Sequence, residues 1–144
     1  MSLNDKRIIP DLMNNVLDNE DMILFSNGSP KRTFCYIADS ITSYIKVVSK
    51  GKNLNAYNIG TSSPEISMRE LTIKIKKISK SVFNYKGNCL FKVNKDKKYL
   101  KDNPLRRKPC LKKTTKHLNF KSKISLNRGL KNTLIYFYNL KKNK

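Results

Sequence analysis

Glycine is sparse: five residues, Gly28, Gly51, Gly60, Gly87 and Gly129, are scattered over 144 positions with no two close together. A dinucleotide site of the strand–turn–helix kind needs clustered glycines, so that backbone can approach a pyrophosphate at a helix N-terminus. This chain has no GxxGxxG-type loop, and it is expected to bind no cofactor alone. Histidine occurs once, at His117, with no cysteine beside it in sequence. A lone imidazole among lysines reads as a surface residue rather than as the base of a nucleophilic pair. The three cysteines, Cys35, Cys89 and Cys110, form no C-x-x-C and no even set, which argues against both a zinc site and a disulfide framework. No apolar run approaches the ~20 residues that span a bilayer. No basic segment followed by an apolar stretch opens the chain. A reduced, cytoplasmic setting without a membrane partner is the expectation.

Acidic residues are also scarce, ten against 31 Lys and Arg, which gives a net charge of +21. The imbalance is uneven: residues 1–60 hold seven cations and six acids, whereas residues 61–144 hold 24 and four. Such a cationic half raises nucleic acid, an anionic surface or a phosphorylated ligand as partner. Tyr85, Phe91, Tyr99 and Phe120 interleave with the lysines as candidate stacking residues for a single strand. Scattered lysines in a chain also rich in Asn and Ile are more commonly a solvated surface. A hydrophobic fraction of 38% with a mean hydropathy of −0.59 predicts one globular domain with a thin core.

Periodicity predicts a helix from Ile9 to Leu17, then a strand at Met22–Phe25 closed by the turn formers Ser26–Pro30. Phe34–Ile37 reads as β-prone. Asp39 or Ser40 caps a helix whose apolar face is Ile41, Tyr44, Ile45 and Val48, ended by Lys50 and a C′ glycine, Gly51. Ala56–Gly60 reads as a strand. Ser67-Met68-Arg69-Glu70 fits a capping box, followed by a stripe of Met68, Leu71, Ile75, Ile78 and Val82. Cys89–Val93 is predicted as a strand and 94–108 as a loop. Lys112–Leu118 is predicted as a short helix, and Ser125 caps a last one with Leu126, Leu130, Leu134 and Phe137 inward. Residues 1–140 form the domain and 141–144 a basic, frayed tail.

The chain carries in order Asp5-Lys6-Arg7-Ile8-Ile9-Pro10, Gly28-Ser29-Pro30-Lys31-Arg32-Thr33-Phe34-Cys35-Tyr36-Ile37-Ala38-Asp39, Tyr57-Asn58-Ile59-Gly60, Glu65-Ile66-Ser67-Met68-Arg69-Glu70-Leu71 and Asp102-Asn103-Pro104-Leu105-Arg106-Arg107-Lys108-Pro109. This collinear set resembles the C-terminal half of the NAD-dependent nucleotide-sugar epimerases and dehydratases, of the extended short-chain dehydrogenase/reductase group. The resemblance implies an α/β fold: the substrate-binding portion of that enzyme fold, without the N-terminal Rossmann half. It implies that Arg32 and Arg107 grip a substrate diphosphate, for which paired guanidinium forks of permanent charge are chemically suited. Leu24, Phe25 and Ser26 would lie near the nucleotide base, although the family usually has Tyr-Gly where Phe25-Ser26 stands. Arg7 would have a weaker role in binding. Asp39 would cap and pack. Cys110 stands where an aspartate or asparagine commonly follows the proline.

Enzymes of that family use a Tyr-x-x-x-Lys pair for proton abstraction. Tyr138 and Lys142 match the spacing, but among 25 lysines and seven tyrosines about one such match arises by chance. No catalytic residue is therefore assigned. The resemblance implies a UDP- or dTDP-sugar as ligand, NAD in the parent enzyme, and an N-terminal cofactor-binding half as partner. It also implies a homodimer of the complete enzyme and apolar surface laid bare where that half would pack. The chain is expected to be inactive alone. A small basic nucleic-acid-binding protein and a degenerate fragment without activity are the alternatives.

Overall fold

A computed structural model describes residue 5, residues 7–92 and residues 104–143. Among the described residues five helices and five short strands form an α/β arrangement. The first helix, α1 (Ile8–Leu17), begins one residue earlier than predicted, with Pro10 in its first turn where a missing N–H costs nothing. Strand β1 (Met22–Leu24) follows, and the chain then turns at Gly28 with φ of 76°. A side chain there is excluded twice over, because an added Cβ would also lie 2.8 Å from the Cβ of Arg69.

Strand β2 occupies Lys31–Thr33, not the predicted Phe34–Ile37. Phe34 instead packs against the core, and helix α2 (Ile37–Lys50) starts earlier than Asp39 or Ser40 would allow as its cap. Its N-cap is Tyr36, which supplies no side-chain bond. Asp39 is buried in the first turn and reaches across the fold: Oδ2 accepts from the Lys123 amide at 3.0 Å and the Ile124 amide at 2.9 Å. Gly51 does end α2, but with φ of −64° rather than a left-handed angle. Glycine is needed there for clearance, since a Cβ would lie 2.3 Å from the Val47 carbonyl oxygen. No strand forms at Ala56–Gly60; among the described residues that stretch has no ladder partner, and a strand without one leaves its amides and carbonyls unpaired.

Strand β3 (Glu65–Ser67) runs directly into α3 (Met68–Phe83) through the predicted capping box. The Glu70 amide donates to Ser67 Oγ at 3.1 Å and the Ser67 amide to Glu70 Oε2 at 2.7 Å. The left-handed Asn84 closes the helix. Strand β4 (Cys89–Phe91) pairs in parallel with β1 as a two-stranded sheet. Val93 and most of the stretch predicted as a loop, up to residue 103, lie outside the described residues. The end of that stretch is not a loop: Arg106–Arg107 form β5 against the edge of β2. Helix α4 (Lys112–Leu118) has the predicted bounds. Helix α5 (Leu126–Lys142) is capped by Ser125 Oγ, and it extends into the expected tail, where Lys141 Nζ pairs with the Asp18 carboxylate.

The second sheet has the order β3-β2-β5, antiparallel on one side and parallel on the other. The core lies where α1, α3 and α5 pack together against β1. Leu12, Met13, Met22, Leu71, Ile75, Leu134 and Phe137 are almost wholly enclosed there. Burial of one such side chain is worth about 1.5–3 kcal/mol, so this cluster rather than any local propensity holds the molecule together. Helix α2 lies apart from that cluster. It packs on α4, and Lys46 Nζ donates to the Asn119 carbonyl at 2.9 Å and the Leu118 carbonyl at 3.3 Å, tying α2 to the end of α4. The predicted apolar face of α2 is exposed: Ile41, Tyr44, Ile45 and Val48 are 50–90% accessible.

Candidate anion groove

Strand β2 carries Arg32 and strand β5 carries Arg107, and the two residues are register partners. A parallel ladder sets such partners about 4.8 Å apart with side chains on one face of the sheet. Their chains come from segments 75 positions apart, so tertiary pairing alone creates the neighbourhood. An open groove of about 610 Å³ lies beside them, lined also by Thr33, Gly60, Thr61 and Lys108. Arg32 is half-buried and Arg107 exposed. Burial, and then the charge of Arg107, hold the Arg32 guanidinium below its ordinary range. Two like charges set together at a partly desolvated position make a site that an anion would stabilise.

Arg106 behaves differently. Its Nε donates to Glu65 Oε1 at 2.5 Å and its Nη2 to Glu65 Oε2 at 2.8 Å, while Lys108 Nζ stands 3.9 Å from the same carboxylate. Hydrogen bonding from Arg106, with the charges of Arg106, Lys108 and Lys31 added, holds the Glu65 carboxyl below its usual range. Among the described residues no carboxylate pairs with Arg107. The groove thus contains Arg106 paired with Glu65, Arg32 with its Nη1 donating to the Lys31 carbonyl at 2.7 Å, and Arg107 beside it on the ladder.

The other sequence candidates lie elsewhere. Arg7 borders a different groove of about 570 Å³, among Phe34, Tyr36, Leu130 and Phe137, and its guanidinium bonds to Asp5. Leu24 is buried in the core, Phe25 is half-exposed, and Ser26 Oγ accepts from the Gly28 amide at 3.2 Å. None of these three lines the Arg32–Arg107 groove. Cys35 borders both grooves, but burial raises its thiol pKa and makes it a poor nucleophile.

His117 is held by Tyr57, whose hydroxyl accepts from the Lys52 amide at 2.9 Å and lies 3.0 Å from His117 Nδ1. Burial and then Lys52, Lys116 and Lys113 push the imidazole pKa down, which favours the neutral ring. Tyr138 stacks on Phe83 with ring centroids 4.6 Å apart. Among the described residues no group of three His, Cys, Asp or Glu side chains gathers to hold a metal, and no helix is long and apolar enough to cross a membrane. The expected stacking residues are not on offer: Tyr85 and Phe120 are buried, and Phe91 lies under the Arg69 guanidinium at 4.3 Å. Tyr99 falls outside the described residues.

The model of the NAD dependent epimerase/dehydratase family matches residues 2–60, the span that contains Arg32. UDP-glucuronic acid decarboxylase 1 of Arabidopsis thaliana is 27% identical over 139 residues, covering 96% of this chain and 29% of that protein. The chain is thus similar to that family's model over residues 2–60 and to this decarboxylase over most of its own length. Solved members share its fold. UDP-glucose 4-epimerase of Thermotoga maritima, determined with UDP-glucose, superposes with a TM-score of 0.75 at 22% identity, over 96% of this chain and 40% of the other. UDP-glucuronic acid 4-epimerase of Bacillus cereus, in complex with UDP-glucuronic acid and NAD, gives 0.76 at 20% identity, over 94% and 40%. The chain therefore spans under a third of that curated family member's length, and it has part of the extended short-chain dehydrogenase fold.

The Glu65–Arg106 pair is the feature that sequence reasoning missed. Glu65 precedes a capping box and Arg106 sits in a polar stretch, 41 positions away, so no local spacing links them. The alternation of charge across three paired strands would have revealed it, had the pairing been known.

Proposed function

We propose that this chain is the substrate-binding portion of a nucleotide-sugar epimerase/dehydratase, taking the diphosphate of a UDP- or dTDP-sugar between Arg32 and Arg107. The observation that carries this reading is their register pairing on adjacent strands. Each guanidinium can donate two hydrogen bonds to neighbouring phosphate oxygens and keeps its charge at any working pH. Thr33 and Thr61 line the same groove, the Thr61 hydroxyl being taken up by Ser63 and Ser122. The exposed Phe25 serves as an apolar platform for the base, with Leu24 setting its strand and Ser26 its turn. Arg7 has the lesser binding role.

In this reading residues 1–140 work as one unit with a cofactor-binding half that supplies NAD and the catalytic tyrosine, and the chain alone is inactive. The bare apolar face of α2 supports this, since Ile41, Tyr44, Ile45 and Val48 on one helix form the kind of surface that a partner domain covers. The complete enzyme pairs as a homodimer.

Calorimetric titration of the 144-residue chain with UDP, dTDP and inorganic pyrophosphate tests the proposal. Saturable binding is expected, weakened about tenfold or more in Arg32→Gln and in Arg107→Gln, because a charge-assisted bond is worth ~1.5–3 kcal/mol. Lys112→Gln with Lys113→Gln, outside the groove, is the control. Absence of binding by the folded chain, or equal affinity in the arginine variants and the control, would refute it.

A further inference from the structure

The three strands of the second sheet sort their side chains by alternation. Lys31 pairs with Arg106 and Arg32 with Arg107 on one side of β2; on the other, Thr33 pairs with Glu65, Arg32 with Ile66 and Lys31 with Ser67. Glu65, Lys31, Thr33 and Arg106 therefore share one face, whereas Arg32, Ile66 and Arg107 share the opposite one. Glu65 and Arg106 stand on the two outer strands, which lie about 9.6 Å apart, and are offset by two residues along them; their two-bonded fork straps diagonally across β2.

Strand β5 needs such a strap. It is two residues long, and the chain entering it is held by the Lys31 amide donating to the Leu105 carbonyl at 2.8 Å. A slip of one residue there would turn Arg107 to the Glu65 face and bring Arg106 beside Arg32. Both residues carry the same side chain, so nothing in β5 itself rejects the slipped register. The carboxylate of Glu65 does, because the observed register gives it Arg106 and Lys108 together, whereas the slip would offer it Arg107 and turn Lys108 to the other face.

We propose that Glu65 and Arg106 are positioning residues for the anion groove, their fork fixing β5 in the register that sets Arg107 beside Arg32. The role rests on the diphosphate reading of the groove. It also gives Arg106 and Arg107 separate duties, one spent on the protein carboxylate and the other left for ligand.

The test uses the full chain and two independent readouts. Amide hydrogen exchange followed by NMR reports the register in the free protein. Glu65→Gln is expected to speed exchange at residues 31–33 and 106–108 by about fivefold, the upper range for a partly exposed ion pair, with α3 amides unchanged as the control for folding. The exchanged pair Glu65→Arg with Arg106→Glu is expected to restore protection to within about twofold. UDP titration reports the ligand. Glu65→Gln is expected to weaken UDP by about the same factor, although it removes a negative charge from beside the groove, and the exchanged pair is expected to recover the affinity.

Unchanged exchange in Glu65→Gln overturns the strap whatever UDP does. Faster exchange with a tighter UDP complex overturns the positioning role, for Glu65 is then a competing anion. If exchange responds as expected but the wild-type chain binds no UDP, the diphosphate reading fails and the positioning role falls with it, a pattern distinct from the first.

Discussion

Asp39 offers the sharpest test of how this fold closes. Its buried carboxylate takes two amides, those of Lys123 and Ile124, on a single oxygen, and these lie immediately before the Ser125 cap of α5. Each charge-assisted bond is worth ~1.5–3 kcal/mol. Lys123 is exposed, so water can replace part of what is lost at its amide, and the two bonds share an acceptor. Asp39→Ala should therefore cost about 2–4 kcal/mol rather than the full sum. Asp39→Asn keeps one carbonyl oxygen able to accept both amides and loses only the charge, so it should cost about 1 kcal/mol. Urea unfolding followed by circular dichroism at neutral pH reads the difference. With a slope of ~1.5 kcal/mol/M, the alanine variant should lose about 2 M in midpoint and the asparagine variant well under 1 M. Exchange at the Lys123 and Ile124 amides should accelerate in step. An alanine variant with the wild-type midpoint would show that the carboxylate merely rests near these amides. An asparagine variant as damaged as the alanine one would show that charge, not acceptor geometry, carries the effect.

Three further outcomes can be checked directly. Ser67→Ala removes one half of the capping box and should lower stability by about 1 kcal/mol in the same urea assay; an unshifted midpoint would mean that the cap adds nothing to the fold. Burial, then Cys89 and Asp21, push the Tyr85 hydroxyl from 10 up to about 12. Its folded value lies above its unfolded one, so the stability it contributes is complete below pH 10 and disappears as pH rises toward 12. The phenolate absorbance difference between wild type and Tyr85→Phe should show a midpoint near 12, and a midpoint near 10 would refute the assignment. Ile45→Lys with Val48→Lys on the bare α2 face should leave stability within about 0.5 kcal/mol of wild type while reducing self-association in sedimentation velocity.

Local chemistry was readable where a single segment decides the outcome. Ser67 and Glu70 announce a helix start three residues apart, and Leu126, Leu130, Leu134 and Phe137 announce a buried stripe, so α3 and α5 were legible without knowing their neighbours. Strands were legible only in part, because a strand exists where it finds a partner. Phe34–Ile37 has the residue types for one, yet Lys31–Thr33 has the partners on both sides. Arg106 and Arg107 have poor β-propensity and pair nonetheless, since the edge of β2 is available to them. The apolar residues of α2 obey a helical period, but period alone does not say against what the stripe packs. For the groove, the family resemblance alone singled out Arg32 and Arg107 and joined them, and their guanidinium chemistry suits the anion it implied. Glu65 came into view only through the sheet.

Helix α5 forms a wall of the core against both α1 and α3, and Phe137, among the most enclosed of its side chains, lies near the end of that last helix. During synthesis, the apolar stripes of α1 and α3 have only each other and β1 as cover until about fifty residues after α3 is made. A nascent chain of this design stays collapsed and sticky while it waits, and its commitment to the native state comes late and in one step, when α5 leaves the ribosome.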